Sequence, residues 1–292
     1  MIALAVSLHG QGSEPGGVPK RLVFGASLLG SSNELGVVTR LDASAGYLFN
    51  RHWSLEFGVP YYFVSPSSST ASSTGTSSFN GVGNVYSRIR FVLLNPSLNY
   101  ASALSVAAPT GDKTLGLSTG RGIVDWSNYF DHSFRRLTPF AEVGFANAVS
   151  DTMIFVRPYT TAGLVTRLQG GARYGLARWL TVGASGYSII PTGQQTVVSR
   201  VVSRQTTRTG TGNPPVTVPG QGAQKRVFED TTVITGPADL ARDKGYSTWL
   251  QIGSGQPINF QVGYTRSTTF GLDTIFFGAG FSVRKTLGAA GF

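Results

Sequence analysis

The strongest constraint on the fold is a hydrophobic period of two that recurs along almost the whole chain. In INFQVGYT, residues 258–265, apolar or aromatic side chains alternate with Asn, Gln, Gly and Thr. Successive side chains of a strand point to opposite faces, so such a segment has one apolar and one polar face. Helical periodicity is nearly absent, and the sequence predicts an all-β chain. The expected strands are 21–29, 37–49, 53–64, 84–94, 100–109, 122–133, 138–149, 163–176, 179–190, 247–254, 258–267 and 272–284.

The connections between these strands are sorted by length. Alternation alone also fits a soluble β-sandwich, but a sandwich has no reason to place short connections after even-numbered strands and mostly long ones after odd-numbered strands. The sorting is typical of a transmembrane up-and-down antiparallel β-barrel of about 12 strands, with short periplasmic turns and long extracellular loops. The short connections are 50–52, 95–99, 134–137, 177–178 and 255–257, and the long ones are 65–83, 110–121, 150–162 and 191–246.

The composition supports a surface that faces lipid. Charged residues make up 13% of the 292 residues, against roughly a quarter in ordinary soluble domains. The chain has 38 Gly, 18 Phe, 11 Tyr and 4 Trp. Its apolar runs fall short of the ~20 residues that a transmembrane helix needs. We therefore expect the bacterial outer membrane as its location.

The expected organisation is one barrel with two unusual segments. Residues 1–19 are predicted to be a signal remnant or a flexible tail. Ala3-Leu4-Ala5 fits the small-x-small cleavage site of a signal. Residues 20–292 then form a single barrel. Residues 191–246 are too long for a structureless connection and predict an extracellular hairpin. Its positive charge fits contact with lipopolysaccharide phosphates or a solvated loop that happens to be basic.

Motifs of catalysis and of cofactor binding are weak. The absence of cysteine excludes disulfides and thiolate metal sites, and the three histidines are widely spaced, so no metal or cofactor is expected. Scattered rather than clustered basic residues argue against nucleic acid, despite the net charge of +10. Asp131-His132-Ser133 holds the residue types of a catalytic triad, but neighbours on a strand point to opposite faces. The sequence predicts no enzyme.

The segment AAPTGDKTLGLSTGRG, residues 107–122, has the glycines of a phosphate-binding loop. Gly111 and Gly116 have the spacing of that motif, but Leu117-Ser118 stand where Lys and Ser or Thr are required. A strand pattern rather than a helix follows. We interpret the segment as barrel rim and extracellular surface loop.

Charged residues on the predicted inward faces are the candidate lumen-lining set. In hydrocarbon each would cost roughly 2–4 kcal/mol at the midplane, so the lumen is the acceptable side. An arginine-rich lumen favours anions or electron-rich solutes, whereas Arg–carboxylate pairs can also simply fill a narrow barrel. Both roles stay open. The set is Arg40, Asp42, Glu56, Arg88, Arg90, Glu142, Arg167 and Arg173.

Four segments carry a resemblance to a known family. FNGVGNVYSRIRFVLL (79–94), LSVAAPTGDKTLGLSTGRGIVDW (104–126), PFAEVGFANA (139–148) and GLDTIFFGAGFSV (271–283) resemble the outer-membrane barrels associated with the MetA pathway of phenol degradation. The family pattern has Asp where this chain has Asn84, and such barrels usually end on the closing strand, whereas this chain continues to Phe292. The resemblance brings no functional residues with it.

The resemblance implies a porin-like outer-membrane channel for passive uptake or efflux of small aromatic or hydrophobic compounds. Two alternatives remain at this point: an outer-membrane enzyme acting on lipid or lipopolysaccharide, and a structural or adhesive barrel acting through its extracellular loops. The expected partners are outer-membrane lipid and lipopolysaccharide, a small-molecule solute and the barrel assembly machinery, for which Phe292 fits a terminal signal.

Overall fold

The chain folds as an all-β barrel. The computed structural model describes residues 21–67, 78–149, 161–199, 202–204, 225–227, 232–253 and 256–286. The expected tail 1–19 and the terminal Phe292 lie outside the described residues, as does most of the low-complexity segment 65–78. Within the described part, no helix is both long and apolar enough to cross a membrane.

The strands agree closely with the alternation in the sequence. One short 3-10 helix, Ala238–Ala241, precedes the tenth barrel strand. In chain order the strands are β1 (Arg21–Asn33), β2 (Gly36–Leu48), β3 (Trp53–Pro66), β4 (Phe79–Val82), β5 (Tyr86–Leu93), β6 (Asn99–Ala107), β7 (Ile123–Asp131), β8 (Leu137–Val149), β9 (Thr161–Ala177), β10 (Leu180–Ser199), β11 (Val202–Arg204), β12 (Lys225–Val227), β13 (Thr232–Gly236), β14 (Asp243–Ile252), β15 (Ile258–Ser267) and β16 (Leu272–Thr286).

Twelve of these strands form a closed antiparallel ring. Each pairs with its neighbour in the order β1-β2-β3-β5-β6-β7-β8-β9-β10-β14-β15-β16. The ring closes where β1 pairs with β16 over thirteen residues, from Arg21 opposite Thr286 to Asn33 opposite Thr274. The predicted barrel and its strand number are confirmed, as are the short turns on one rim. That rim is periplasmic, and the long connections mark the extracellular rim.

The barrel exterior is apolar. Outward positions carry large exposed hydrophobic side chains, for example Leu41, Phe57 and Val262. Inward positions of the same strands are buried or part-exposed and are mostly small, polar or charged. A soluble protein would not expose so continuous an apolar surface, so this exterior is the lipid-facing belt of a membrane barrel.

Aromatic side chains border this belt near the periplasmic rim. Trp53, Phe91, Tyr100 and Phe130 lie on the adjacent strands β3, β5, β6 and β7. Their successive ring centroids are 4.9, 6.3 and 5.1 Å apart. Such aromatic girdles mark the height at which a membrane barrel meets the lipid headgroups.

The structure departs from the expected strands at two places. The predicted strand 84–94 is divided into β4, which pairs with residues 61–64 of β3, and β5, which pairs with residues 53–58. The strand expected to end at Ile190 continues through Pro191 as far as Ser199. Proline is tolerated there because the ladder with β14 ends at Ile189, which leaves only the β9 side paired.

Parts of the long segment 191–246 are paired. Residues 195–199 of β10 pair with β13, and β11 pairs with β12. Residues 200–201, 205–224 and 228–231 lie outside the described residues, and the extracellular hairpin stays a prediction.

A charge placed on the lipid-facing belt tests the orientation of the strands. We expect Leu41→Arg to lower the free energy of unfolding by roughly 2–4 kcal/mol, because the guanidinium would face hydrocarbon. Ser97→Arg, in the exposed turn after β5, is the control and should have little effect. The measurement is denaturant unfolding of protein refolded into lipid vesicles. Equal stabilities of the two variants would contradict the assigned exterior.

Candidate functional site

The inward faces of β2, β3 and β5 carry a connected network of charged side chains. Arg40 forms an ion pair with Asp42 two residues along the same strand. The Tyr86 hydroxyl donates a hydrogen bond to Asp42 Oδ1 at 2.8 Å. Arg88 pairs with Glu56 at 3.3 Å and donates from Nε to the Ser105 hydroxyl. Each charge therefore has a compensating partner, as burial requires.

A second network crosses β7, β8 and β9. Arg167 donates to both carboxylate oxygens of Asp125, at 2.7 and 2.6 Å.

A third network lies near the periplasmic end of the same wall. Arg173 donates to Asp131 at 2.9 Å and to the Tyr129 hydroxyl at 2.7 Å. Asn99 donates to the other Asp131 oxygen at 2.8 Å. The guanidinium also lies over the Phe140 ring, 5.7 Å from its centroid.

Inward glycines let these side chains reach past a neighbouring strand. Tyr86 on β5 reaches Asp42 on β2 by lying over Gly58 of β3, where an added Cβ would overlap the tyrosine ring. Arg167 on β9 reaches Asp125 on β7 over Gly144 of β8, where a Cβ would fall 3.1 Å from Arg167 Nη2. The glycines thus allow contacts between strands that are not neighbours.

Inward glycines also allow an aromatic cluster to form inside the barrel. Phe140, Trp249 and Phe276 form one buried cluster, although they belong to β8, β14 and β16. The rings of Phe140 and Trp249 are 6.2 Å apart. Trp249 lies over Gly183 and Phe276 over Gly263, so both bulky rings cross an intervening strand. Apolar surface thus occupies part of an otherwise polar interior.

Another part of the interior is solvent-accessible. In the periplasmic halves of β1, β2, β15 and β16, the inward residues are small or polar and part-exposed. The small side chains at these positions leave space inside the barrel, whereas the aromatic cluster fills its own part of the interior. They include Gly25, Ser27, Ser44, Asn259, Gln261 and Gly280.

Toward the extracellular end, many inward side chains are apolar and buried. Three clusters of buried side chains line it on β2, β3, β5 to β10 and β16, and we call them the apolar layer. Where β14 and β15 interrupt the layer, Asp243 accepts hydrogen bonds from Tyr187 and Ser267 and is itself buried. The layer consists of Leu35, Val38, Tyr62, Val64, Leu117 and Leu272; of Tyr86, Ala107, Ile123 and Ala148; and of Ala146, Val149, Val165 and Ile189.

The segment 108–122 supplies part of this layer. Leu117 has no exposed surface and belongs to the cluster formed with Leu35, Val38 and Leu272. Ser118 and Thr119 are buried as well. The interpretation of this segment as a surface loop is therefore wrong for residues 116–119, which are buried because Leu117 inserts into the barrel mouth. Its apolar Leu-Gly-Leu within a polar loop was the available signal.

Two glycine-rich stretches that are separate in the sequence, residues 81–84 and 109–112, meet at the base of this segment. Asn84 is fully buried and accepts a hydrogen bond from Gly111 N. The Thr110 hydroxyl accepts from Val85 N and donates to Gly83 O. The base of the segment is thus fixed to the junction of β4 and β5.

The tip of the segment is set by tight backbone turns. Asp112 Oδ1 accepts from Thr114 N at 2.7 Å, and Leu117 N donates to Asp112 O at 2.9 Å. Gly116 and Gly120 have φ of 72° and 69°, which other residues adopt only with strain. An added Cβ at Gly81 would fall 2.6 Å from Leu117 Cδ1, so β4 needs glycine beneath the leucine.

The eight charged candidates all lie on inward positions, but they are not equivalent. Arg40, Asp42, Glu56, Arg88, Arg167 and Arg173 are held in the networks above. Arg90 and Glu142 are part-exposed and have no ion pair or hydrogen bond within the described part of the chain. The predicted set did not include Asp125 and Asp131, which bind Arg167 and Arg173.

The possible catalytic constellation does not assemble. The carboxylate of Asp131 binds Arg173 and Asn99, and the Ser133 hydroxyl lies 3.1 Å from that of Thr138. The described ranges also contain no group of three or more His, Asp or Glu side chains placed to hold a metal ion.

Substitution at a glycine gap tests the interior network. We expect Gly58→Ala to displace the Tyr86 ring from Asp42 and to cost about 1–3 kcal/mol, as overpacking typically does. The lipid-facing Gly170→Ala is the control, since its Cβ would meet nothing nearer than Phe140 O at 4.0 Å. Unfolding in urea with a heat-modifiability gel measures both. A neutral Gly58→Ala would show that the Tyr86 contact contributes little.

The comparisons with known proteins agree on architecture. No protein-family model matches the chain, and no curated protein matches its sequence. The COG4313 outer membrane channel from Pseudomonas putida F1 superposes with a TM-score of 0.54 at 12% identity, covering 93% of this chain and 97% of that one.

Two further solved structures are more distant. The NanC porin gives 0.48 at 9% identity, covering 88% of this chain and 98% of the porin. The Pseudomonas putida toluene transporter TodX gives 0.42 at 8% identity, covering 92% and 90%. Of these three, the COG4313 likeness has a TM-score above 0.5, and it supports the fold. The fold and its apolar belt are those of a bacterial outer-membrane barrel.

Proposed function

We propose that the protein is a porin-like channel for passive movement of small molecules across the bacterial outer membrane. The observation that carries this proposal is the part-exposed polar surface of the interior on the periplasmic halves of β1, β2, β15 and β16. It lies within a closed barrel whose exterior is apolar. A barrel of twelve strands stands between side-chain-filled eight-stranded barrels and open porins, which fits a narrow path.

We propose small aromatic or hydrophobic compounds as the solutes. The interior offers them an aromatic face at Phe140, Trp249 and Phe276 and an apolar layer above it. Arg173 lies over two aromatic rings, which shows that electron-rich rings and guanidinium groups meet on this wall. The sequence resemblance to barrels associated with phenol degradation supports the same class, and the superposed COG4313 protein is described as a channel.

The lumen-lining residues divide into two roles in this proposal. The paired charges fix the walls, because each is neutralised by a partner on the barrel. Arg90 and Glu142 meet the solute, since they are part-exposed and unpaired within the described residues. One positive and one negative free group would weakly order polar or charged solutes.

We propose three kinds of partner besides the solute. Lipid contacts the exposed belt, lipopolysaccharide contacts the extracellular end, and the assembly machinery inserts the barrel. We propose no catalytic activity, because Asp131 and Ser133 are engaged with other side chains.

Solute flux tests the channel directly. Purified protein in liposomes should admit neutral phenolics faster than sugars of similar size, because an aromatic and apolar interior desolvates them at lower cost. Liposome swelling rates for phenolics, sugars and small anions provide the measurement, with empty liposomes as control. The absence of flux for all three classes would reject the channel.

Charge substitution tests which residues meet the solute. We expect Arg90→Gln to shift the reversal potential in a KCl gradient toward cation preference, because it removes a positive charge from the path. Glu142→Gln should shift it in the opposite direction. Arg178→Gln, in the exposed turn between β9 and β10, should leave it unchanged. Identical potentials for Arg90→Gln and wild type would remove Arg90 from the path.

A further inference from the structure

On β1, β2, β15 and β16, the exposure of the inward side chains falls along the barrel axis toward the extracellular end. Toward the periplasmic rim, inward residues such as Ser44 and Gln261 are part-exposed, so water reaches them. At the extracellular end every residue of the apolar layer is buried, with Leu117 and Val165 showing no exposed surface. On these four strands, the solvent-accessible part of the interior therefore lies in the periplasmic half.

Leu117 differs from the rest of the layer in how it is held. The other wall residues of its cluster, among them Val38, Val64 and Leu272, belong to long ladder-bonded strands. Leu117 belongs to a connecting segment that is hydrogen-bonded at its base to the junction of β4 and β5. The hydrogen bonds at its tip, such as Leu117 N to Asp112 O, join residues of the segment to one another. A connecting segment can move while paired strands keep their places.

Two glycines lie on either side of the buried tip. Gly116 and Gly120 have positive φ and bracket residues 117–119. They supply the backbone freedom at which the tip could swing without disturbing the bonds at its base. Leu117 can therefore leave the apolar layer without breaking a strand ladder.

We infer that Leu117 is the latch of a hydrophobic gate at the extracellular mouth and controls the admission of solutes. With Leu117 in the apolar layer the mouth excludes water and ions, as dewetted hydrophobic constrictions do. Withdrawal of the tip opens a path to the polar side of the interior. This inference rests on the proposed channel function.

Polar substitution at the latch gives the first test. Leu117→Ser should raise the single-channel conductance in planar bilayers several-fold, because a hydroxyl lets water wet the layer. Val92→Ser changes a buried inward side chain near the periplasmic rim and should leave conductance unchanged. Leu117→Ala serves if the serine variant does not give a heat-modifiable folded band. Equal conductance of wild type and both Leu117 variants would overturn the gate.

A reversible cross-link gives the second test, and the chain has no native cysteine to interfere. Gly81→Cys with Leu117→Cys would place two thiols together, since a Cβ at Gly81 falls 2.6 Å from Leu117 Cδ1. Oxidation should form the disulfide, detected by mobility on a non-reducing gel. It should also lower conductance, and reduction should restore it. The single variant Leu117→Cys is the matched control and should not respond to oxidation.

The outcomes separate the gate from the channel. Failure of the disulfide to form would overturn the closed position of Leu117, and a disulfide without effect on conductance would overturn the gate. A disulfide that forms while no variant conducts any solute would instead reject the channel, with the closed position of the segment retained.

Discussion

Satisfaction of backbone hydrogen bonds in lipid is the constraint on which the rest of the structure depends. A strand with an open edge in hydrocarbon would leave N–H and C=O groups without partners, at several kcal/mol each. The pairing of β1 with β16 over thirteen residues removes that edge. Closure then fixes an inside and an outside for every strand, so each alternating residue either contacts lipid or enters the interior.

Within the closed barrel, the sizes of the inward side chains decide which parts of the interior are filled. Glycines at positions such as Gly58, Gly144 and Gly183 let tyrosine, arginine and tryptophan lie across an intervening strand. Charges thereby find partners on strands that are not their neighbours, which removes the penalty of burying them singly. The small or polar inward residues in the periplasmic halves of β1, β2, β15 and β16 leave that part of the interior accessible. The proposed path follows from that accessibility.

Much of the fold could be predicted because its signals are local. Period two identified the twelve barrel strands to within a few residues in most cases, and connection lengths identified the two rims. The strand expected to end before Pro191 continues through it. The effect of a proline depends on whether both neighbouring ladders are present, and here the ladder with β14 has already ended at Ile189. The candidate site was harder to predict from the sequence. The ion pair of Asp131 with Arg173 joins β7 to β9, and Leu117 lies in a segment predicted as a surface loop but is buried.

The strand number and the lipid-facing belt could be predicted from the sequence, because each depends only on alternation along a strand, and alternation also predicts inward positions for the eight charged candidates. Which of these charges form ion pairs within the described residues, and where the segment 108–122 lies, could be seen only in the folded barrel. Those outcomes depend on contacts between residues far apart in the chain, such as Leu117 with Leu35 and Leu272. Barrel closure and the inward glycines set these distances, and no local pattern encodes them.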